Sequence, residues 1–440
     1  MASDRFQIEQ LGPTTFPNPI GEIGEFNYIS EEERLLLNPH YSALEDCVET
    51  QNLPDGFELA GPRKNIFFDP SKVRAAIVTC GGLCPGLNAV IRGLVLQLWF
   101  SYHCKDILGI RYGYQGLGDQ GLTPIQLTPK DVSDIHSKGG TMLGSSRGTP
   151  PTPELVDNLE RLGINMLFTI GGDGTMRGAG ALWQEIRARG LDISVIGIPK
   201  TIDNDIPFVR RTFGFDTAVS IATDSINAAQ VEAWGVPNGI GIVKLMGRNS
   251  GYIAASASLS SGHPNFCMIP EVPFSMEGPG GLFELLEKRL AERSHAVIVL
   301  AEGAGQYYFE SSERDTDASG NRKLGDIGSY VRDRLKKHLK RRNISTAIKY
   351  IDPSYLIRSA PANSADQLYC QRLARNAVHA AMAGKGGLLI GFWHGQMTHV
   401  PISALHGHSR QVNPKGELWF NILESTGQPR LIGDISYIDP

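Results

Sequence analysis

The chain has 440 residues and a mass of 47.9 kDa, with 41% hydrophobic and 20% charged residues, enough to bury the cores of two or three domains. Its 42 Lys and Arg against 46 Asp and Glu leave a net charge of -4 and a pI near 6.3, which offers no broad attraction for nucleic acid, so anionic ligands must be met locally. The longest apolar stretches, such as AVIVLA at 296–301, fall far short of the roughly 20 residues a membrane helix needs, and the N-terminus is charged where a signal peptide has an apolar core, so a cytoplasmic protein with no membrane partner is expected. Six cysteines, at 47, 80, 84, 104, 267 and 370, show no paired or metal-ligand spacing and read as reduced thiols.

In chain order, residues 1–72 carry LGPTTFPNPIG and EEERLLLNPHY, a Pro-punctuated arm packed on something larger, with a short amphipathic helix expected around 31–37. From 73 the pattern changes to short apolar runs alternating with longer amphipathic ones. VRAAIVT precedes a helical 88–100, DILGIRYG precedes DVSDIHS, INMLFTI precedes a helical 176–189, and ISVIGI follows. A second series has helical 216–234, the run GIGIVKLMG, helical 250–259 and 281–293, HAVIVLAEG, helical 326–342 and AIKYI. Strand and helix in turn predict βαβ units, hence an α/β protein with two doubly wound, mostly parallel-sheet lobes. The polar run ESSERDTDASGNRK at 310–323 is the best candidate for a mobile surface loop.

In such sheets ligands sit at the carboxyl ends of the strands, and the loops there are unusual. TCGGLCPGLNAVIR places Gly81 and Gly82 directly after a strand, and TIGGDGTMRGAG places Gly171, Gly172, Asp173, Gly174 and Thr175 in the same position. Glycines let backbone N–H groups approach phosphate oxygens, and the next helix N-terminus adds a favourable dipole. A lone Gly-Gly after a strand is more often an ordinary tight turn, and neither loop is a Walker A or G-x-G-x-x-G sequence. Asp173 changes the weighting, because a carboxylate among phosphate-binding glycines repels the ligand unless a cation lies between them, and Mg²⁺ with phosphate is the natural pairing. Arg147, Arg248 and Arg358 lie next to small residues. Each alone reads as a solvated or salt-bridged surface arginine, whereas together with Lys200 and Lys349 they suit a clamp on two phosphates. IPKTIDNDI at 198–206 runs from a β-branched strand into Lys200, Thr201, Asp203 and Asp205, and Asp-Asn-Asp by itself is common loop chemistry.

Taken together, GGLCPGLN, GGDGT, PKTIDND, MGRNSG, AEGAG and DPSYLIR resemble, in content and order, the phosphofructokinase family, from about residue 61 to the C-terminal region. GGDGT alone is shared with other kinases, and its joint occurrence with PKTIDND is very specific. With AGPRKNIFFDP before the first strand, the chain looks closest to the ATP-dependent branch found in plants and trypanosomatids, which also carries an N-terminal extension. The resemblance implies transfer of the γ-phosphoryl group of ATP to the 1-hydroxyl of fructose 6-phosphate with Mg²⁺, in an allosteric glycolytic enzyme that is a homodimer or homotetramer and needs no nucleic acid. It also implies a division into an N-terminal extension at 1–72, a donor lobe of 73–214 plus about 357–408, and a sugar-phosphate lobe of 215–356 plus about 409–440.

Residue by residue, the resemblance makes Asp203 the base, with Arg248 and Thr201 beside it in catalysis. ATP falls to Gly82, Tyr114, Arg147, Gly148, Gly172, Asp173, Gly174 and Thr175, with Tyr114 as an adenine contact. The sugar phosphate falls to Thr201, Ile202, Asp203, Met246, Gly247, Arg248, Glu302, Lys349, Tyr355, Leu356, Ile357 and Arg358. Mg²⁺ is expected at Asp173, and Asp205 is expected to help hold it, because an extended segment points Asp203 and Asp205 the same way. Gly174, where pyrophosphate-dependent members carry Asp, favours ATP; Lys200 is typical of pyrophosphate enzymes and compatible with either donor. Bacterial relatives bring an arginine across a subunit interface from the position of Gly239, so here another cation such as Lys244 replaces it or the interface differs. The rival readings are a pyrophosphate-dependent enzyme, a non-catalytic regulatory subunit of the same fold, and a nucleotide-dependent oxidoreductase, which lacks its expected glycine fingerprint.

Overall fold

Three runs buried throughout but for Arg74, at Arg74–Thr79, Met166–Gly171 and Ser194–Pro199, form adjacent parallel strands at the centre of a nine-stranded sheet. A parallel strand is covered on both faces, so its sequence reads as a near-continuous apolar run rather than an alternation. Leu388–Trp393 continues the parallel set on one side and Asp106–Gly109 on the other. Antiparallel strands finish both edges, with Gln396–Pro401, Gly56–Leu59 and Arg34–Leu36 at one end and Ile125–Gln126 at the other. The structure, a computed structural model, describes residues 4–22, 27–50, 53–309, 323–405 and 409–435.

The chain divides into two units: residues 1–201, 206–214 and 359–408 make the first, and 202–205, 215–358 and 409–440 the second. The second unit holds a four-stranded parallel sheet in the order Phe266–Met268, His295–Ala301, Gly239–Leu245, Ile348–Ile351. Its core joins Ile240, Ile242, Ile298 and Leu300 to apolar faces of the helices Leu282–Arg293 and Ile327–Arg341.

Two expectations are corrected. The segment expected as a helix around 31–37 is the strand Arg34–Leu36, paired in the register Leu35 to Phe57, and the helix of this region lies at Tyr41–Thr50. Pairing with Gly56–Leu59 and packing of Leu37 against the core outweigh a local preference that is weak over so short a stretch. The predicted helical DVSDIHS is reduced to a single 3-10 turn at Ile135–Ser137. Residues 1–72, read from the sequence as an arm on something larger, pack on the first unit: their strands extend its sheet and Glu9–Gln10 pairs with Lys385–Gly386. The expected mobile loop at 310–323 lies, but for Lys323, outside the described residues.

Candidate active site

In the first unit, register puts Thr79 beside Ile170 and Gly171 beside Pro199. GGLCPG, GGDGT and PKT therefore leave the sheet from neighbouring strand ends. Gly172 caps the helix Asp173–Ala188, so Gly172 to Thr175 form a strand-to-helix turn with its N–H groups at a positive helix end. A side-chain carbon on Gly171 would lie 2.1 Å from Thr175 Oγ1, so only glycine permits this closure. At Gly174 the nearest atom to such a carbon is Arg177 Nη2 at 3.7 Å, an ordinary contact that leaves the space over the turn open. Lys200 is buried: its Nζ donates to Gly82 O at 2.8 Å and its N–H to Gly171 O at 2.9 Å. One lysine thus ties the two glycine turns together, its ammonium on the first and its backbone N–H on the second.

Asp173 is largely exposed and is held by Arg177, one helical turn on. Among the described residues no cluster of three or more His, Cys, Asp or Glu side chains is placed to hold a metal ion. One accessible carboxylate at a glycine-rich strand-to-helix turn nevertheless suits Mg²⁺, which commonly takes one or two carboxylates and completes its shell with substrate phosphates and water.

In the second unit the strand ends of Gly239–Leu245 and His295–Ala301 are level, Leu245 beside Ala301. Glu302 N–H donates to Leu245 O at 2.8 Å and Gly303 N–H to Gly247 O at 3.1 Å, which locks AEGAG against MGR. Asp203 belongs to this unit. Burial, then the charges of Asp205 and Glu302, push its carboxyl up to about 8, opposed by the Arg248 backbone N–H and the Arg358 guanidinium. Burial also raises Glu302, against the pull of Arg358, Lys244 and Arg248. The fold therefore brings Asp203, Asp205, Arg248, Glu302 and Arg358 into one electrostatic cluster.

Several predicted contacts are placed differently. Tyr114 is buried, 2% exposed, and its hydroxyl donates to Thr175 O at 2.9 Å, so it buttresses the GGDGT turn from below instead of offering a face to adenine. The side chains of Met246 and Ile357 are sealed in the core while Tyr355 and Leu356 are exposed. Lys349 pairs with Glu232 at 3.2 Å and lies in register with Gly241, near the start of its neighbouring strand, far along the strand from Leu245 and the MGR loop. Asn204 has φ +56°, so 203–205 is a turn, and the extended geometry that was to aim Asp205 alongside Asp203 does not exist. Lys244 is bound to Asp352 at 2.7 Å. At Gly239 a side-chain carbon would lie 2.0 Å from Ala233 O, leaving no room there for an arginine. Sequence reading missed Arg177, although its i,i+4 spacing from Asp173 is a recognised ion-pair signal, and missed Arg410 and Glu271, which no local pattern marks.

The phosphofructokinase family model matches residues 74–381. The ATP-dependent 6-phosphofructokinase of Borreliella burgdorferi is 48% identical over 436 residues, 96% of this chain and 97% of that protein. ATP-dependent 6-phosphofructokinase 7 of Arabidopsis thaliana is 47% identical over 423 residues, 95% and 86% of the two chains. A counterpart from Trypanoplasma borreli, also named ATP-dependent 6-phosphofructokinase, is 48% identical over 372 residues, 84% and 75%. Among solved structures, a pyrophosphate-dependent phosphofructokinase from Marinobacter aquaeolei shares the fold, with a TM-score of 0.67 at 22% identity over 82% of this chain and 92% of that one. Since the family model spans well over half the chain, and near-half identity runs through both units, the chain belongs to the phosphofructokinase family.

Proposed function

We propose that this protein is an ATP-dependent 6-phosphofructokinase, which transfers the γ-phosphoryl group of ATP to the 1-hydroxyl of fructose 6-phosphate and yields fructose 1,6-bisphosphate. The observation that carries the reading is the surroundings of Asp203: a buried carboxyl with raised proton affinity, beside two further acids and met by the Arg248 backbone N–H and the Arg358 guanidinium. Asp203 accepts the proton of the 1-hydroxyl as that oxygen attacks the γ-phosphorus and the bond to the β,γ-bridging oxygen breaks. Arg248 neutralises charge on the transferring group, with Thr201 lining the sugar before it. Arg358 binds the 6-phosphate, and Glu302 accepts hydrogen bonds from sugar hydroxyls. On the donor side, Arg147 and the Gly172–Thr175 turn hold the phosphates. Mg²⁺, when bound with the nucleotide at Asp173, screens the phosphate charge. Relatives named as ATP-dependent enzymes support the donor, as does the open space at Gly174.

A pyrophosphate-dependent reaction is the second reading, favoured by one observation: the Lys200 ammonium is fixed on the first glycine turn, on the Gly82 carbonyl, where it suits a small, highly charged donor. Among the described residues no helix is long and apolar enough to cross a membrane, and a cytoplasmic homodimer or homotetramer completes the proposal. The deciding experiment offers the purified protein fructose 6-phosphate and Mg²⁺ with ATP or pyrophosphate in separate assays. Turnover with ATP is expected; turnover with pyrophosphate alone overturns the donor assignment, and turnover with neither overturns the activity.

A further inference from the structure

The turn at 203–205 is held from outside by a segment far along the chain. Asn204 is left-handed at φ +56°, a conformation Asn tolerates better than most residues but does not lock by itself. All three carbonyls of the turn accept hydrogen bonds. Ser250 Oγ donates to Asp203 O at 3.2 Å, Arg410 Nη1 to Asn204 O at 3.3 Å, and Arg410 N–H to Asp205 O at 2.7 Å, with Ser409 Oγ also reaching Asp205 O at 3.4 Å. The same segment is fastened to the loop that carries Arg248. Gln411 Nε2 donates to Asn249 O at 3.1 Å, Tyr252 Oη to Gln411 O at 2.7 Å, and the Arg410 guanidinium lies 4.7 Å over the Tyr252 ring. Glu271 closes the arrangement, because its Oε1 accepts both Gly251 N–H at 2.9 Å and Val412 N–H at 2.7 Å. All these groups belong to the second unit.

We infer that residues 409–412 are a positioning strap, in which Arg410 holds the Asp203 turn in its left-handed form while Tyr252 and Glu271 tie the strap to the MGRNSG loop. The inference rests on the reading of Asp203 as the base. Arg410 acts through the carbonyls of Asn204 and Asp205, so it is a positioning residue. Proton transfer tolerates little misplacement, and a displacement of about 1 Å can cost on the order of 100-fold in rate. A carbonyl that loses its donor also frees the turn to relax toward the commoner φ < 0 regions.

The test uses the full chain with Arg410→Ala, Arg410→Lys and Tyr252→Phe. Arg410→Ala deletes the guanidinium bonds and keeps the main-chain bond to Asp205; Tyr252→Phe loosens the strap from its far side. With ATP and fructose 6-phosphate, Arg410→Ala is expected to lower kcat by about 10- to 100-fold with KM for the sugar within about threefold, Arg410→Lys to recover part of the loss, and Tyr252→Phe to follow in the same direction. Amide hydrogen exchange across 202–208, measured without ligands, is expected to quicken in Arg410→Ala and Tyr252→Phe. A raised KM at parental kcat, or parental kcat in both variants, overturns the positioning role. Unchanged exchange in both removes the strap itself. An inactive parent chain would instead remove the assignment of Asp203 as the base.

Discussion

A carboxyl sunk beside two further acids resists ionisation, and Asp203 meets both conditions, with burial the larger and Asp205 and Glu302 adding to it. The folded pKa lies above the unfolded one of roughly 3.9, so this side chain's stabilising contribution is complete below that value and is lost as pH rises through the folded one. Activity runs the other way, because the base works only when ionised. kcat/KM is therefore expected to rise on a limb above the usual carboxylate range, and Asp203→Asn to abolish that limb while cutting turnover by roughly 10² to 10⁴. The same variant should melt no lower than its parent at pH 8 to 9, since the costly ionisation is gone. Rate profiles and melting curves across pH check both; near-parental turnover would remove Asp203 as the base. The role proposed for it rests on the resemblance carried by PKTIDND. The shape of the turn was not legible in the sequence, because φ at Asn204 is set by donors on residues 409 and 410.

At the scale of elements, the GGDGT turn and its helix illustrate what local sequence conveys. Strand, glycines and helix start follow from the pattern, and Gly171 is compelled by the closeness of Thr175. Gly174 differs, for a side chain there meets only the Arg177 guanidinium at contact distance. Gly174→Asp is accordingly expected to fold like the parent, its carboxylate beside Arg177, and to lose ATP turnover through clash and repulsion with the nucleotide phosphates. Circular dichroism should match the parent while KM for ATP rises beyond measurement; retained ATP turnover would show that the nucleotide does not occupy this space. Lys349 marks the opposite case. The resemblance implied a phosphate ligand, but register alone decides which end of a sheet a strand residue occupies, and it places this lysine beside Gly241 with Glu232 as its partner.

Across the whole molecule, the first unit joins its N-terminal segment to its last one, 359–408, through a largely buried charged cluster. Glu58 receives Arg63 Nη2 at 2.6 Å, Lys385 Nζ at 2.7 Å and His399 Nδ1 at 2.8 Å, while Glu31 also binds Arg63 and Lys385. Burial by itself would raise the Glu58 carboxyl, but His399 and then Lys385 hold it far below the ordinary carboxylate range. Removing one partner from a buried charge cluster commonly costs on the order of 3–5 kcal/mol, so Glu58→Gln is expected to lower the denaturant midpoint of unfolding markedly. A depressed carboxyl stabilises above its unfolded pKa of roughly 4.3 and loses that contribution as pH falls below it. Below about pH 5 the parent should therefore lose stability more steeply than the variant, and parallel curves would show that Glu58 contributes nothing through its charge.

The sequence by itself determined the alternating α/β character, the parallel strands and the glycine-rich turns at their ends, because burial on both strand faces and strand-to-helix turns leave local signatures in residue type and spacing. It also carried the family, since GGDGT, PKTIDND and MGRNSG each preserve a chemical part in order. Only the tertiary structure decided that residues 1–72 build onto the first unit, that Tyr114 supports a turn from beneath, that Gly239 has no room for a side chain, and that residues 409–412 shape the turn of the base. Those outcomes depend on register and on partners distant in sequence: Glu58 meets His399 across 341 positions and Asn204 meets Arg410 across 206. No local pattern encodes such meetings, because a side chain's partner is set by where the sheet delivers it.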